Sequence, residues 1–110
     1  MVTIKHKLKT YNFLFTINAW FICCDELKCE LHELGEIDNE MDLLINLIYG
    51  AYINACLTKK KSIKLTKDKC EKLIRNMKKS DYDKLTEAML QAKIQGRTVG
   101  EMMNEQKKEK

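Results

Sequence analysis

The first sixteen residues of the chain alternate. Val2, Ile4, His6 and Leu8 are spaced by Thr3, Lys5 and Lys7, and Tyr11, Phe13 and Phe15 are spaced by Asn12, Leu14 and Thr16. A period of two places one set of side chains on one face of a strand, so the pattern predicts a β-hairpin. Its turn is expected near Lys9-Thr10. Two strands are marginal by themselves, which requires helices packed against them. From about Ile17 the period changes: Trp20, Cys23, Cys24, Leu27, Leu31 and Leu34 fall at helical spacing. One helix is therefore expected from about Asn18 to Leu34, with Gly35 as its left-handed cap.

A second helix, capped by Asp38 or Asn39, is predicted over Met41 to Leu57. It is apolar nearly all round, as befits a helix at the centre of a fold. Its small or polar residues, Asp42, Asn46, Gly50 and Asn54, recur every four positions and trace one narrow stripe, either a solvent edge or a seam of close approach. A membrane span is the competing reading. The unbroken run Leu43 to Leu57 rises only about 22 Å and holds two asparagines, which argues for a core helix and no membrane. Thr66 caps a third helix with Cys70, Leu73, Ile74 and Met77 on its apolar face. Ser80, with Asp83 three residues on, opens a fourth, in which Leu85, Ala88, Met89 and Ala92 turn inward and Gly96 closes the helix. Thr98 to Lys110 repeats a T-x-x-E start but has only Val99, Met102 and Met103 to bury, and reads as a tail or short helix. The expected fold is mainly α: an N-terminal β-hairpin followed by a compact bundle of about four helices, with residues 1–96 as a single domain and 97–110 as its tail.

Composition narrows the classes of function. With 110 residues, no proline and four glycines, the chain holds one modest core and no separate catalytic domain. The five cysteines are odd in number and lack C-x-x-C pairing, which fits small core residues in a reducing compartment better than a disulfide framework. Lys5, Lys7 and Lys9 before the apolar Tyr11 to Cys24 sketch a secretory leader. Asn12, Thr16 and Asn18 interrupt that run, and no small-x-small cleavage site follows.

No phosphate loop, nucleophile elbow or zincin motif is present, so no catalytic residue and no cofactor are expected. Cys29 and His32 stand three apart on the predicted first helix, one turn beyond Cys24, but a tetrahedral zinc site needs a second ligand pair and none is visible. Glu30 and Glu33 read as a solvated acidic face and not as an acid/base pair.

Charge is distributed unevenly. Cys23 to Leu43 holds eight acidic residues and one basic, a net −7, whereas Thr58 to Lys79 holds ten basic and two acidic, a net +8. The whole chain is +4 with a pI near 8.8. The stretch Lys59 to Lys79 could track phosphates, although it has a single arginine and almost no interleaved aromatics. A Lys-rich solvated face is the plainer account, and self-association of acidic face against basic face is a third.

In order along the chain, Phe15-Thr16-Ile17-Asn18-Ala19 leads into an acidic helix and Leu47-Ile48-Tyr49-Gly50-Ala51 makes an aromatic-small step. Leu65-Thr66 with Leu73-Ile74, and Leu85-Thr86-Glu87-Ala88-Met89, complete the series. In these stretches the chain resembles the small tail assembly chaperones of long-tailed bacteriophages and prophages, encoded just before the tape measure protein. It departs from them in its Lys-rich third helix and in its cysteines. The resemblance implies a non-enzymatic protein of the bacterial host cytoplasm that binds the tape measure protein and helps to recruit tail tube subunits. Val99, Met102 and Met103, with Phe21 and Ile22 off the main apolar stripe, are the candidate partner-binding residues, because flexible methionines and exposed apolar side chains can accept amphipathic helices. The alternative function is a small helical nucleic-acid-binding protein that uses Lys59 to Lys79.

Overall fold

A computed structural model of the chain describes residues 1–31, 33, 40–94, 97 and 98. Its described residues form strands β1 (Val2–His6) and β2 (Lys9–Phe13), then helices α1 (Ile17–Leu27), α2 (Glu40–Thr58), α3 (Lys67–Asn76) and α4 (Lys79–Gln91). The short strands β3 (Lys93–Ile94) and β4 (Arg97–Thr98) follow. The architecture is mainly α, with an N-terminal antiparallel hairpin and four helices around one core.

β1 and β2 pair with Val2 opposite Phe13, Ile4 opposite Tyr11 and His6 opposite Lys9. The loop is therefore Lys7-Leu8, two residues earlier than the expected Lys9-Thr10. Both take positive φ, 48° and 65°, as the twist of a two-residue hairpin requires. Neither is the Gly or Asn that favours this geometry, which is why the turn was hard to see. Strand pairing also stops at Phe13. The next residue leaves the sheet: the Leu14 N–H donates to the Ala51 carbonyl at 3.0 Å. The Leu14 carbonyl accepts from Asn54 Nδ2 at 2.9 Å. Residue 14 is thus clamped to α2 on both sides of its backbone.

α1 ends at Leu27, short of the expected Leu34. Lys28 turns left-handed at φ 54°. The Lys28 N–H donates to the Asp25 carbonyl and the Cys29 N–H to the Cys24 carbonyl, the paired reverse bonds that close a helix without glycine. Continuing the helix would have stacked Glu26, Glu30 and Glu33 at the negative end of its dipole, which opposes extension. The cap assigned to Gly35, and Leu34 itself, lie outside the described residues, as do the caps Asp38 and Asn39 and also Gly96. Gly96 does not close the fourth helix as expected, because that helix already ends at Gln91.

α2 is the central helix, about 28 Å long at 1.5 Å per residue. Met41–Thr58 is long and apolar enough to cross a membrane by length and composition. In the fold, Ile45, Leu47, Ile48, Ala51, Tyr52 and Ala55 are buried in the core. The stripe Asn46, Gly50, Asn54 is the seam and not a solvent edge: Asn46 and Asn54 are buried. A Cβ on Gly50 would lie 2.6 Å from the Ala19 carbonyl oxygen, closer than any side chain can sit, so α1 and α2 touch backbone to backbone there. Thr66 caps α3 as expected, its Oγ1 accepting from the Lys69 N–H at 3.3 Å. Cys70, Leu73 and Ile74 are buried beneath it. α4 is capped at Lys78, two residues before the expected Ser80, with no side-chain cap bond, so the Ser80–Asp83 capping box does not form; the helix contacts β1 and contributes the fully buried Leu85. Lys93 pairs with Thr98 and Ile94 with Arg97, so the first two residues assigned to the tail join a small second hairpin.

Candidate functional site

The residues with chemical potential fall into three places. The first is the end of α1. Cys23 and Cys24 are buried, Cys29 is half-buried, and all are free thiols. The reversal at Lys28 puts Cys29 against Cys24, where a helix of this ending normally places an apolar contact. Loss of water pushes the Cys23 thiol up to about 12, helped by Cys24, Cys29 and Asp42 and opposed by Lys67. Burial first, then Cys29, takes Cys24 up to about 11. Thiols held neutral in this way are poor nucleophiles and poor metal ligands. His32, the other half of the Cys29 pair, lies outside the described residues. Among the described residues no three His, Cys, Asp or Glu side chains converge on a metal position. The Glu33 carboxylate accepts from the Glu30 N–H at 2.9 Å and so shapes the local turn.

The second place is the outer side of α1. Phe21 is 49% exposed, and Ile22 beside it is half-buried. Val99, Met102 and Met103, expected to join them, lie outside the described residues.

The third place was only partly visible in the sequence. The hairpin tip, the connection from α2 to α3 and the outer side of α3 enclose a cavity of about 650 Å³, into which His6, Lys7, Lys9, Lys64, Lys69 and Lys72 project. A second cavity of about 450 Å³ continues it past Lys59, Lys60 and Lys61. The two share Thr10, Tyr52 and Lys64, so they form one trough. Among the described residues no carboxylate lines either part.

Its floor is fixed. The Tyr52 hydroxyl accepts from the Lys64 and Leu65 backbone N–H groups, each at 3.2 Å, and the Tyr52 ring is held between Phe13 and Tyr49 at centroid distances of 6.2 and 6.3 Å. Burial raises the Tyr52 pKa, so the hydroxyl stays neutral. α2 ends above this floor in the same reversed geometry as α1, with Lys60 left-handed at φ 55°. The Lys61 N–H returns to the Cys56 carbonyl at 2.8 Å. Of the stretch Lys59 to Lys79, six lysines face the trough. Arg75 is paired instead with Glu71 at 3.0 Å. The sequence missed His6, Lys7 and Lys9, which join these lysines only because the hairpin folds over toward α3. The one available signal was a pair of lysines, one in the hairpin turn and one just after it.

No protein-family model, curated protein or solved structure matches the chain.

Proposed function

We propose that the chain is a non-enzymatic binding protein that acts as a phage or prophage tail assembly chaperone, holding the tape measure protein and helping to bring tail tube subunits to it in the host cytoplasm. The observation that carries this reading is how the four stretches of the resemblance are used. Ala19 of the first packs under Gly50 of the second. Leu65 and Thr66 of the third anchor and cap α3, and Leu85 of the fourth is buried in the same core. These stretches are spent on one interior, so they act as a set that specifies this arrangement of hairpin and helices. Phe21, left largely uncovered on α1, supplies an apolar anchor of the kind that seats an amphipathic helix, with Ile22 at its side.

Co-expression of the full chain with tape measure fragments, followed by capture and thermal melting, tests the proposal. The intact chain retains a fragment. Phe21→Asp lowers retention at least tenfold with an unchanged melt, because the side chain is on the surface. Retention of neither tape measure fragment nor tail tube subunit by the intact chain rejects the reading.

A further inference from the structure

We propose that the trough between the hairpin tip and α3 binds the phosphate backbone of a nucleic acid, without reading its sequence. Eight lysines reach it from three separate parts of the chain: Lys7 and Lys9 from the hairpin, four from the connection after α2, and Lys69 and Lys72 from α3. Like charges gathered in a concave, carboxylate-free space repel one another and focus a positive potential outward.

Part of this charge has a local use. Lys59, Lys60 and Lys61 stand at the negative end of the α2 dipole and offset it. Lys64 and Lys69 have no such use. They stand at the start of α3, the positive end of a ten-residue helix, where cations are unfavourable unless an anion is present. Asp68, the acidic residue of that first turn, does not line the trough.

The walls favour phosphate over an acidic protein segment. A protein partner needs apolar pockets for its anchors, yet Leu65 and Leu73 are already buried in the core. What remains accessible beside the lysines is the half-buried His6 and Tyr11 together with Thr10, Asn12, Ser62 and Asn76, hydrogen-bonding groups of the kind that position phosphate oxygens. Lysine in place of arginine leaves no bidentate fork to read guanine, so the contacts are to backbone and not to base. The continuity of the two cavities suits a linear polyanion better than a single small anion. Phe21 lies in neither cavity, so this site and the tape measure reading stand or fall separately.

The test is fluorescence anisotropy of the full chain with a labelled 20-nucleotide single strand and a 20-base-pair duplex of arbitrary sequence, between 50 and 200 mM NaCl. About four phosphate contacts on the duplex give a log–log salt slope near −3.6, or about a hundredfold loss of affinity over that range. Replacing Lys64, Lys69 and Lys72 together by alanine flattens the slope by two to three and weakens binding at least tenfold, with an unchanged melt. The control pair Lys78→Ala and Lys79→Ala, outside the trough, changes affinity by no more than twofold to threefold. The proposal is overturned by no binding at 50 mM NaCl, by a triple variant that binds as the unaltered chain does, or by a strong dependence on sequence. It is also overturned if polyglutamate displaces the duplex at equal charge concentration, which would assign the trough to an acidic protein segment.

Discussion

The seam between α1 and α2 and the trough between the hairpin and α3 are both gaps between neighbouring elements, closed in opposite ways. At the seam the side chains shrink to Ala19 and Gly50 until backbones touch, and most of the polar groups caught inside find partners. Asn54 reaches the Leu14 carbonyl and Thr16 Oγ1, at 2.9 and 2.8 Å. Asn46 Nδ2 turns back to the Asp42 carbonyl at 2.8 Å, while its Oδ1 is buried without a partner among the described residues. At the trough the side chains are long, charged and alike, and cannot fill the space they surround. Stability is stored at the seam and not at the trough. Closure by small residues gains dispersion and excludes water, while lysines kept in water contribute little to the fold and remain available to a partner.

The largest effect that could break this contrast is expected at Gly50. In an exposed helix, Gly→Ala gains up to about 1 kcal/mol. Here the new Cβ meets the Ala19 backbone, which cannot swing aside, so Gly50→Ala should destabilise by about 1–3 kcal/mol and Gly50→Val by more. Urea melts measure it, and a stabilised Gly50→Ala protein would show that the helices are not in backbone contact. Next comes Asn54→Ala, which strips the Leu14 carbonyl of its buried donor and should cost about 1–3 kcal/mol. In contrast, Lys72→Ala in the trough should stay within about 0.5 kcal/mol of the unaltered chain.

The buried thiols add a pH dependence to the core. Cys23, against the seam, and Cys70, under α3, are both pushed up to about 12 from an ordinary 9.0, chiefly by loss of water. The fold therefore holds their protons more tightly than the unfolded chain does. Their contribution to stability is whole below pH 9 and is lost as the pH rises from 9 toward 12, at up to about 1.4 kcal/mol per pH unit for each thiol. Paired replacement of Cys23 and Cys70 by alanine should flatten the fall in stability between pH 9 and 11, measured by urea melts across that interval. An equally steep fall in the variant would place the alkaline loss elsewhere.

A modest gain is expected at the hairpin tip. Leu8 is fully exposed with φ 65°, so Leu8→Gly relieves a left-handed strain and should stabilise by about 0.5–1 kcal/mol. Thermal melts would show the gain, and the salt slope for nucleic acid should not change, because Lys7 and Lys9 keep their places.

Periodicity made much of the fold legible. The alternation through Phe13, the all-round apolar Met41 to Leu57 and the Thr66 cap each state a local preference that the packing later keeps, because burial of an apolar face and capping of free N–H groups act over a few residues. The four-residue stripe Asn46-Gly50-Asn54 announced a special face of α2. Whether it faced water or a neighbour could not be decided locally, since small residues serve both ends. The ends of elements were less legible, at Lys7-Leu8, Lys28 and Lys60, because lysine and leucine adopt the left-handed conformation only when flanking pairing and packing compensate its cost.

Local pattern set the first hairpin, the four helices, most of the interior residues and the separation of acidic from basic segments. Only the closed fold brings Gly50 against Ala19, and Lys7 and Lys9 of the first ten residues into one space with Lys64, Lys69 and Lys72. Those pairings join distant positions, and their energy depends on the shapes brought together and not on any local signal, so they exist only once the hairpin, α1, α2 and α3 have closed on the same core.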